Sequence, residues 1–176
     1  MPRPLPTVRA GGWYHVTHRG VDGSILFPTP QSKDAFIAEL GEVAYHFPVE
    51  FHAYCAMETH YHLLARAPEE QLRHAVDQLE AGLPTLTDDA RFRRMAVGRH
   101  LLQVTRYIHL NPVEAGMVRK PEQWAWSSYR GYLDALEGPR WLRSRSVLGW
   151  LGSIGARQRY RQYVEGLDMN MYPRYV

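Results

Sequence analysis

The sequence predicts an α+β fold: a ferredoxin-like βαββαβ antiparallel sheet with its helices on one face, a further helix, and a helical C-terminal extension. Three observations predict it. Short runs rich in aromatic and β-branched residues read as strands, longer runs with apolar residues at helical spacing alternate with them, and Pro or Gly punctuates nearly every junction.

Residues 1–12, with three Pro and two Gly, read as an extended lead-in. Trp13–Arg19 (WYHVTHR) reads as the first strand, closed by Gly20 and the Asp22-Gly23 turn signal. Thr29 then stands as an N-cap with Pro30 at the first helical position, and Phe36, Leu40, Val43, Ala44 and Phe47 recur at helical spacing until Pro48. Val49–Met57 and His60–Arg66 read as a strand hairpin across Glu58-Thr59. Leu72, Val76 and Leu79 mark a helix over Glu69–Glu80, and LPTLTDDA reads as a loop. Arg91–Val97 reads as a short basic strand, with a helical turn as its rival. RHLLQVTRYIHLN after Gly98 reads as a helix ending near Asn111, because Pro112 disfavours helical geometry in the residue before it. The segment SIGARQRYRQYVEGL reads as a C-terminal helix.

The chain has 176 residues, 45% hydrophobic and 22% charged, a composition for one packed core rather than a disordered polymer. Its single cysteine, Cys55, excludes a disulfide scaffold and a cysteine-held zinc, and fits the cytoplasm. No stretch has the length of a signal-peptide core or a membrane span. The net charge of +3 hides an asymmetry: residues 1–89 carry six Lys and Arg against twelve acids, and residues 90–176 carry fifteen against six. All the cations except Lys33 and Lys120 are Arg. Guanidinium groups suit bidentate phosphate contact and stacking on bases, so the basic half fits a polyanionic partner; a coding sequence rich in Arg codons would give the same composition.

Two groups of residues carry chemistry. His60 and His62 are i and i+2 on a strand, so both imidazoles project from one face at a separation that one divalent cation bridges, while Tyr61 faces the core. Ordinary strand histidines would show the same pair. On the helix before Pro112, His100, Gln103, Tyr107 and Asn111 form a polar ridge opposite Leu101, Val104 and Ile108. Asn has poor helix propensity; a specific partner or a helix-terminal role would each account for Asn111. Two imidazoles and an amide oxygen make a three-ligand site with open positions beside a nucleophilic hydroxyl.

From Tyr14 to Tyr132 these residues resemble the HUH single-tyrosine transposases, and among them the REP-associated tyrosine transposases. The resemblance lies in YHVTHRG followed by Ile25-Leu26-Phe27, HAYCAMETHYHLL, RYIHLNPVEAGMV and WSSYRGYL. It implies a transposase domain over residues 13–116 and an Arg- and aromatic-rich extension over 117–176 packed on it. It implies further that His60, His62 and Asn111 are metal ligands for Mg²⁺ or Mn²⁺ and that Tyr107 is the nucleophile. The reaction implied is attack on a phosphodiester of hairpin-containing single-stranded DNA, leaving a 5′-phosphotyrosine and a free 3′-hydroxyl. Because tyrosine hydroxyls ordinarily ionise near ~10, a cation that polarises the phosphate eases the attack. Whether such relatives work as monomers or homodimers differs among them. The chain departs from the family pattern at Glu58 and Thr59, where relatives carry Pro and Asn, and in LEAGLPTLTDDA, where they are longer and basic.

Arg19, Arg91, Arg93 and Arg94 are candidate phosphate contacts near the strands. In the extension, Arg143, Arg145, Arg157 and Arg161 interleave with Trp141, Tyr160 and Tyr163, a pattern suited to single-stranded DNA; the aromatics would equally dock the extension on the domain. A ferredoxin-like RNA-binding protein would need a paired Phe/Tyr platform that these strands lack.

Overall fold

The computed structural model describes residues 11–83 and 90–166. The lead-in before residue 11 and most of the LPTLTDDA segment lie outside the described residues. The chain order is β1 (Gly12–Arg19), α1 (Pro30–His46), β2 (Glu50–Ala56), β3 (His60–Ala67), α2 (Glu69–Glu80), β4 (Arg91–Met95), α3 (Arg99–Glu114), α4 (Tyr129–Leu133), α5 (Ser144–Leu148) and α6 (Ala156–Val164). The four strands form one sheet in the order β2-β3-β1-β4, every neighbouring pair antiparallel. This is the ferredoxin-like arrangement that the element order predicts.

Local chemistry explains the junctions. Asp22 and Gly23 take φ of 51° and 76° in the turn that ends β1, a conformation open to Gly and tolerated by Asp. Thr29 caps α1 through its hydroxyl, which accepts from the Ser32 amide at 3.2 Å, while the Ser32 hydroxyl accepts from the Thr29 amide at 3.2 Å. Segment 91–97 is a strand, not a helical turn, and stops at Met95.

One expectation fails. The helix α3 does not stop at Asn111 but runs through Pro112 to Glu114. Pro112 sits in its last turn, where the chain closes by other bonds: the Ala115 amide donates to the Asn111 carbonyl at 2.9 Å and the Met117 amide to the Pro112 carbonyl at 3.0 Å. One missing donor therefore does not end the helix.

The sheet separates two cores. Against one face, α1 and α2 bury Phe36, Leu40, Val43, Leu72, Val76 and Leu79 on Tyr14, Val16, Phe51, Tyr61 and Leu63. Against the other, α3 packs Leu101, Val104 and Ile108 on Trp13, Ala53, Cys55 and Leu64, and α4 to α6 close over it with Tyr129, Tyr132, Val147, Tyr160 and Tyr163. The extension reaches both cores, because Trp141 joins the first, tilted on Tyr54 with ring centroids 5.5 Å apart. The buried imidazole of His109 ties α3 to it, bonded to the Tyr160 hydroxyl at 2.6 Å and the Ser128 hydroxyl at 2.7 Å. No helix among the described residues is long and apolar enough to cross a membrane.

Candidate active site on the second face of the sheet

Strand alternation decides which side chains face α3. On β3, Tyr61 and Leu63 enter the first core, so His60 and His62 project from the opposite face. The register places Arg19 opposite His60 and Thr17 opposite His62. Antiparallel neighbours share a face, so β1 presents His15, Thr17 and Arg19 beside the histidine pair, and β4 presents Arg93 opposite His15 and Arg91 opposite Thr17.

The last two turns of α3 bring the other half. Tyr107 and Asn111 are four residues apart and lie on one side of the helix. The Asn111 amide stands between the two imidazoles, with Oδ1 3.1 Å from His60 Nε2 and Nδ2 3.2 Å from His62 Nε2. The Tyr107 ring lies edge-on to His62, with centroids 5.3 Å apart, and edge-on to His15 at 5.9 Å.

Each histidine has a partner on its other nitrogen. His60 Nδ1 is 3.1 Å from Thr59 Oγ1, and His62 Nδ1 is 3.1 Å from His15 Nε2, with those two rings stacked. Both Nε2 atoms are thereby directed at the Asn111 amide, and a hydrogen bond on one ring nitrogen fixes which tautomer the other presents. Burial lowers the pKa of His60 and puts that of His62 well below the usual imidazole range; the Arg19 guanidinium adds to both. Burial, with Arg93 beside it, brings His15 down to about 4. Neutral imidazoles at neutral pH are electron-pair donors, so the chemistry available here is ligation by two ring nitrogens and an amide oxygen next to a phenol.

The remaining sequence-predicted residues are dispersed. Arg19, Arg91 and Arg93 share the histidine face. Arg94 pairs with Tyr14 across β1 and β4 and so faces the first core's side of the sheet. Arg143 is held by its backbone to the start of β2, where its amide donates to the Phe51 carbonyl at 2.9 Å. Arg145 and Arg157 line a cavity with it, and Arg161 pairs with Glu122 at 3.5 Å and Glu165 at 3.8 Å. His100 bonds to Gln103 at 3.2 Å at the exposed start of α3. Glu58 serves the turn: its carbonyl accepts from the Leu26 amide at 2.8 Å and the Phe27 amide at 3.0 Å, and its side chain is exposed. Sequence reasoning missed His15 and Thr59. His15 stands two residues before Thr17 on the same face of β1, a signal visible only once β1 is known to neighbour β3. Among the described residues no group of three His, Cys, Asp or Glu side chains is placed to hold a metal.

A four-stranded antiparallel sheet with helices packed on both of its faces defines an architectural class. Within that class, the solved structure of the REP-associated tyrosine transposase bound to a REP hairpin matches with a TM-score of 0.61, over 79% of this chain and 89% of that one, at 18% sequence identity. The likeness is one of fold. No protein-family model matches the chain, and no curated protein matches its sequence.

Proposed function

We propose that this protein is a metal-dependent single-strand DNA endonuclease and strand transferase, a transposase in which Tyr107 is the nucleophile. The observation that carries the reading is the convergence of His60 Nε2 and His62 Nε2 on the Asn111 amide, with the Tyr107 ring against His62. The donor set suits a divalent cation: both Nδ1 atoms are already engaged, both Nε2 atoms converge, and the amide between them offers an oxygen; of Mg²⁺ and Mn²⁺, two imidazoles lean toward the softer Mn²⁺. When bound there, the cation supplies Lewis-acid polarisation of a phosphate oxygen.

The chain's own residues account for the rest. Arg19, Arg91 and Arg93 lie on the histidine face and hold the phosphates flanking the scissile bond as charge-assisted partners. α3 fixes Tyr107 by packing its apolar side on β2 and β3, so the hydroxyl meets the phosphate in a set orientation. The Oη–P bond forms as the P–O3′ bond breaks; Tyr107 gives up one proton and the departing 3′ oxygen takes one. The 5′-phosphotyrosine conserves the phosphodiester, and attack by a 3′-hydroxyl reverses the step without a nucleotide cofactor. The partner on this reading is single-stranded DNA at a hairpin-containing site; the solved neighbour is bound to a REP hairpin.

Incubation with Mn²⁺ and single-stranded oligonucleotides carrying hairpins tests this. A protein–DNA adduct on a denaturing gel is expected from the parent, with none from Tyr107→Phe. An adduct of equal yield from Tyr107→Phe would refute the nucleophile, and tight DNA binding without an adduct would mark a binding protein instead.

A further inference from the structure

The C-terminal extension holds a second basic feature. Around α5 lie two contiguous cavities, of about 280 Å³ and about 550 Å³, which share Ala135, Arg145 and Arg157 in their walls. Arg140 and Arg143 line the smaller one, and neither cavity has an acidic side chain in its lining. Arg140 and Arg145 are exposed, Arg143 and Arg157 half-buried. Among the described residues none of these four guanidinium groups has a carboxylate partner at ion-pair distance, whereas Arg161, on the same helix as Arg157, has two.

The walls are built rather than incidental. The Arg157 side chain is fixed by donating through Nη1 to the carbonyls of Gly131 at 2.8 Å and Tyr132 at 2.9 Å. The Arg143 backbone is clamped from both sides, its amide on the Phe51 carbonyl and its own carbonyl accepting from His52 Nδ1 at 2.9 Å. Gly131 and Gly138 touch so closely that a Cβ on Gly131 would lie 2.9 Å from the Gly138 Cα, which closes the wall between α4 and α5. Glu50 acts on Arg143 from beyond ion-pair distance, but four like charges with no carboxylate in direct contact still repel one another, and an anion that neutralises them relieves that repulsion.

We infer that this groove is a second, non-catalytic binding site for the sugar–phosphate backbone of single-stranded nucleic acid, anchored by Arg140, Arg143, Arg145 and Arg157. Phe51, which holds Arg143, pairs with Ala65, three residues along β3 from His62 and five from His60, or about 10 to 17 Å of strand from the two histidines. The groove therefore grips the strand away from the bond that is cut. It fixes how much flanking DNA the protein needs and carries no base-sequence preference, since guanidinium–phosphate contacts read charge alone. The inference deepens the proposed function and rests on it for the identity of the strand.

The test is equilibrium binding of a labelled single-stranded oligonucleotide to the full chain, without divalent metal, over a range of salt concentrations. The combined Arg140→Gln, Arg143→Gln and Arg145→Gln variant is expected to bind at least tenfold more weakly, with the log–log salt slope shallower by about 2, since each phosphate contact contributes about 0.7 on single strands. Unchanged affinity and slope would overturn the groove. Inorganic phosphate is titrated in parallel: if the triple variant loses phosphate binding yet keeps the parent's strand affinity, the cavity is a small-anion site and the inference fails. Arg145→Gln alone, at an exposed side chain, gives the same readout at a slope change near ~0.7 if the triple variant does not fold. A parent that binds strands through the groove but forms no adduct refutes the proposed function and leaves the groove standing.

Discussion

His15 shows how much of a site can rest on a residue outside it. Its Nε2 meets His62 Nδ1 at 3.1 Å with both rings buried, so removing it leaves His62 free to turn and to present the wrong nitrogen. On the proposed function, His15→Ala lowers Mn²⁺ affinity about tenfold, the usual scale for an outer-shell partner, and calorimetric titration of the metal alone measures it. His15→Gln restores part of the affinity because its amide oxygen accepts from the same Nδ1–H. Equal affinity in parent and His15→Ala, with binding lost in His60→Ala, would remove His15 from this role. His109 is a contrasting histidine, wholly buried and held near pKa 3 by that burial, so it stays neutral between the Tyr160 and Ser128 hydroxyls. His109→Ala leaves two buried hydroxyls short of a partner and opens a cavity; a loss of about 2–4 kcal/mol in urea denaturation is expected.

At the scale of elements, the sequence made the sheet legible because each strand and helix there is locally consistent. The alternation of β3 put the two histidines on one face and Tyr61 in the core, and the spacing of α3 joined Tyr107 to Asn111. The end of α3 was misread, because the rule for a residue before proline weighs one peptide unit and the last turn of a helix has other donors at hand. The short helices α4 and α5 carry no periodicity of their own; tertiary contacts make them, through Tyr129, Tyr132 and Val147 in the second core, while Trp141 in the segment between them packs against α1. A Cβ on Gly41 would sit 2.8 Å from the Trp141 Nε1, so this glycine exists for the close approach. Gly41→Ala therefore destabilises by about 1–2 kcal/mol in thermal or chemical melts even though alanine favours the helix, because the crowded indole has to move. A rise in stability would mean the indole relaxes at no cost. The reach of His15 to His62 was not legible, since it needs the β1–β3 register, a long-range fact that no local pattern encodes.

Across the whole molecule, the asymmetry of charge acquires a geometry. The acidic half supplies the histidine strand and the basic half supplies β4, the tyrosine helix and the groove of the extension. The same extension fills the second core with tyrosines, and these, with Tyr54 and Tyr61 of the first core, give the protein an alkaline limit. Burial raises the hydroxyl pKa of Tyr54, Tyr61, Tyr129, Tyr132 and Tyr160. A group that holds its proton more tightly folded than unfolded stabilises the fold below its unfolded pKa, near ~10, and that stabilisation is lost as pH climbs above it. Stability is expected to fall from about pH 10 upward, with these tyrosines ionising together with unfolding in an ultraviolet titration; ionisation of all tyrosines while the fold persists would contradict it. The bond from His109 to Tyr160 also sets an order of events during synthesis. The helix that carries Tyr107 finishes its packing only when a residue 51 positions beyond His109 has been made. A nascent chain thus holds its histidine strand and its tyrosine helix before the last contacts on the buried side of that helix are in place.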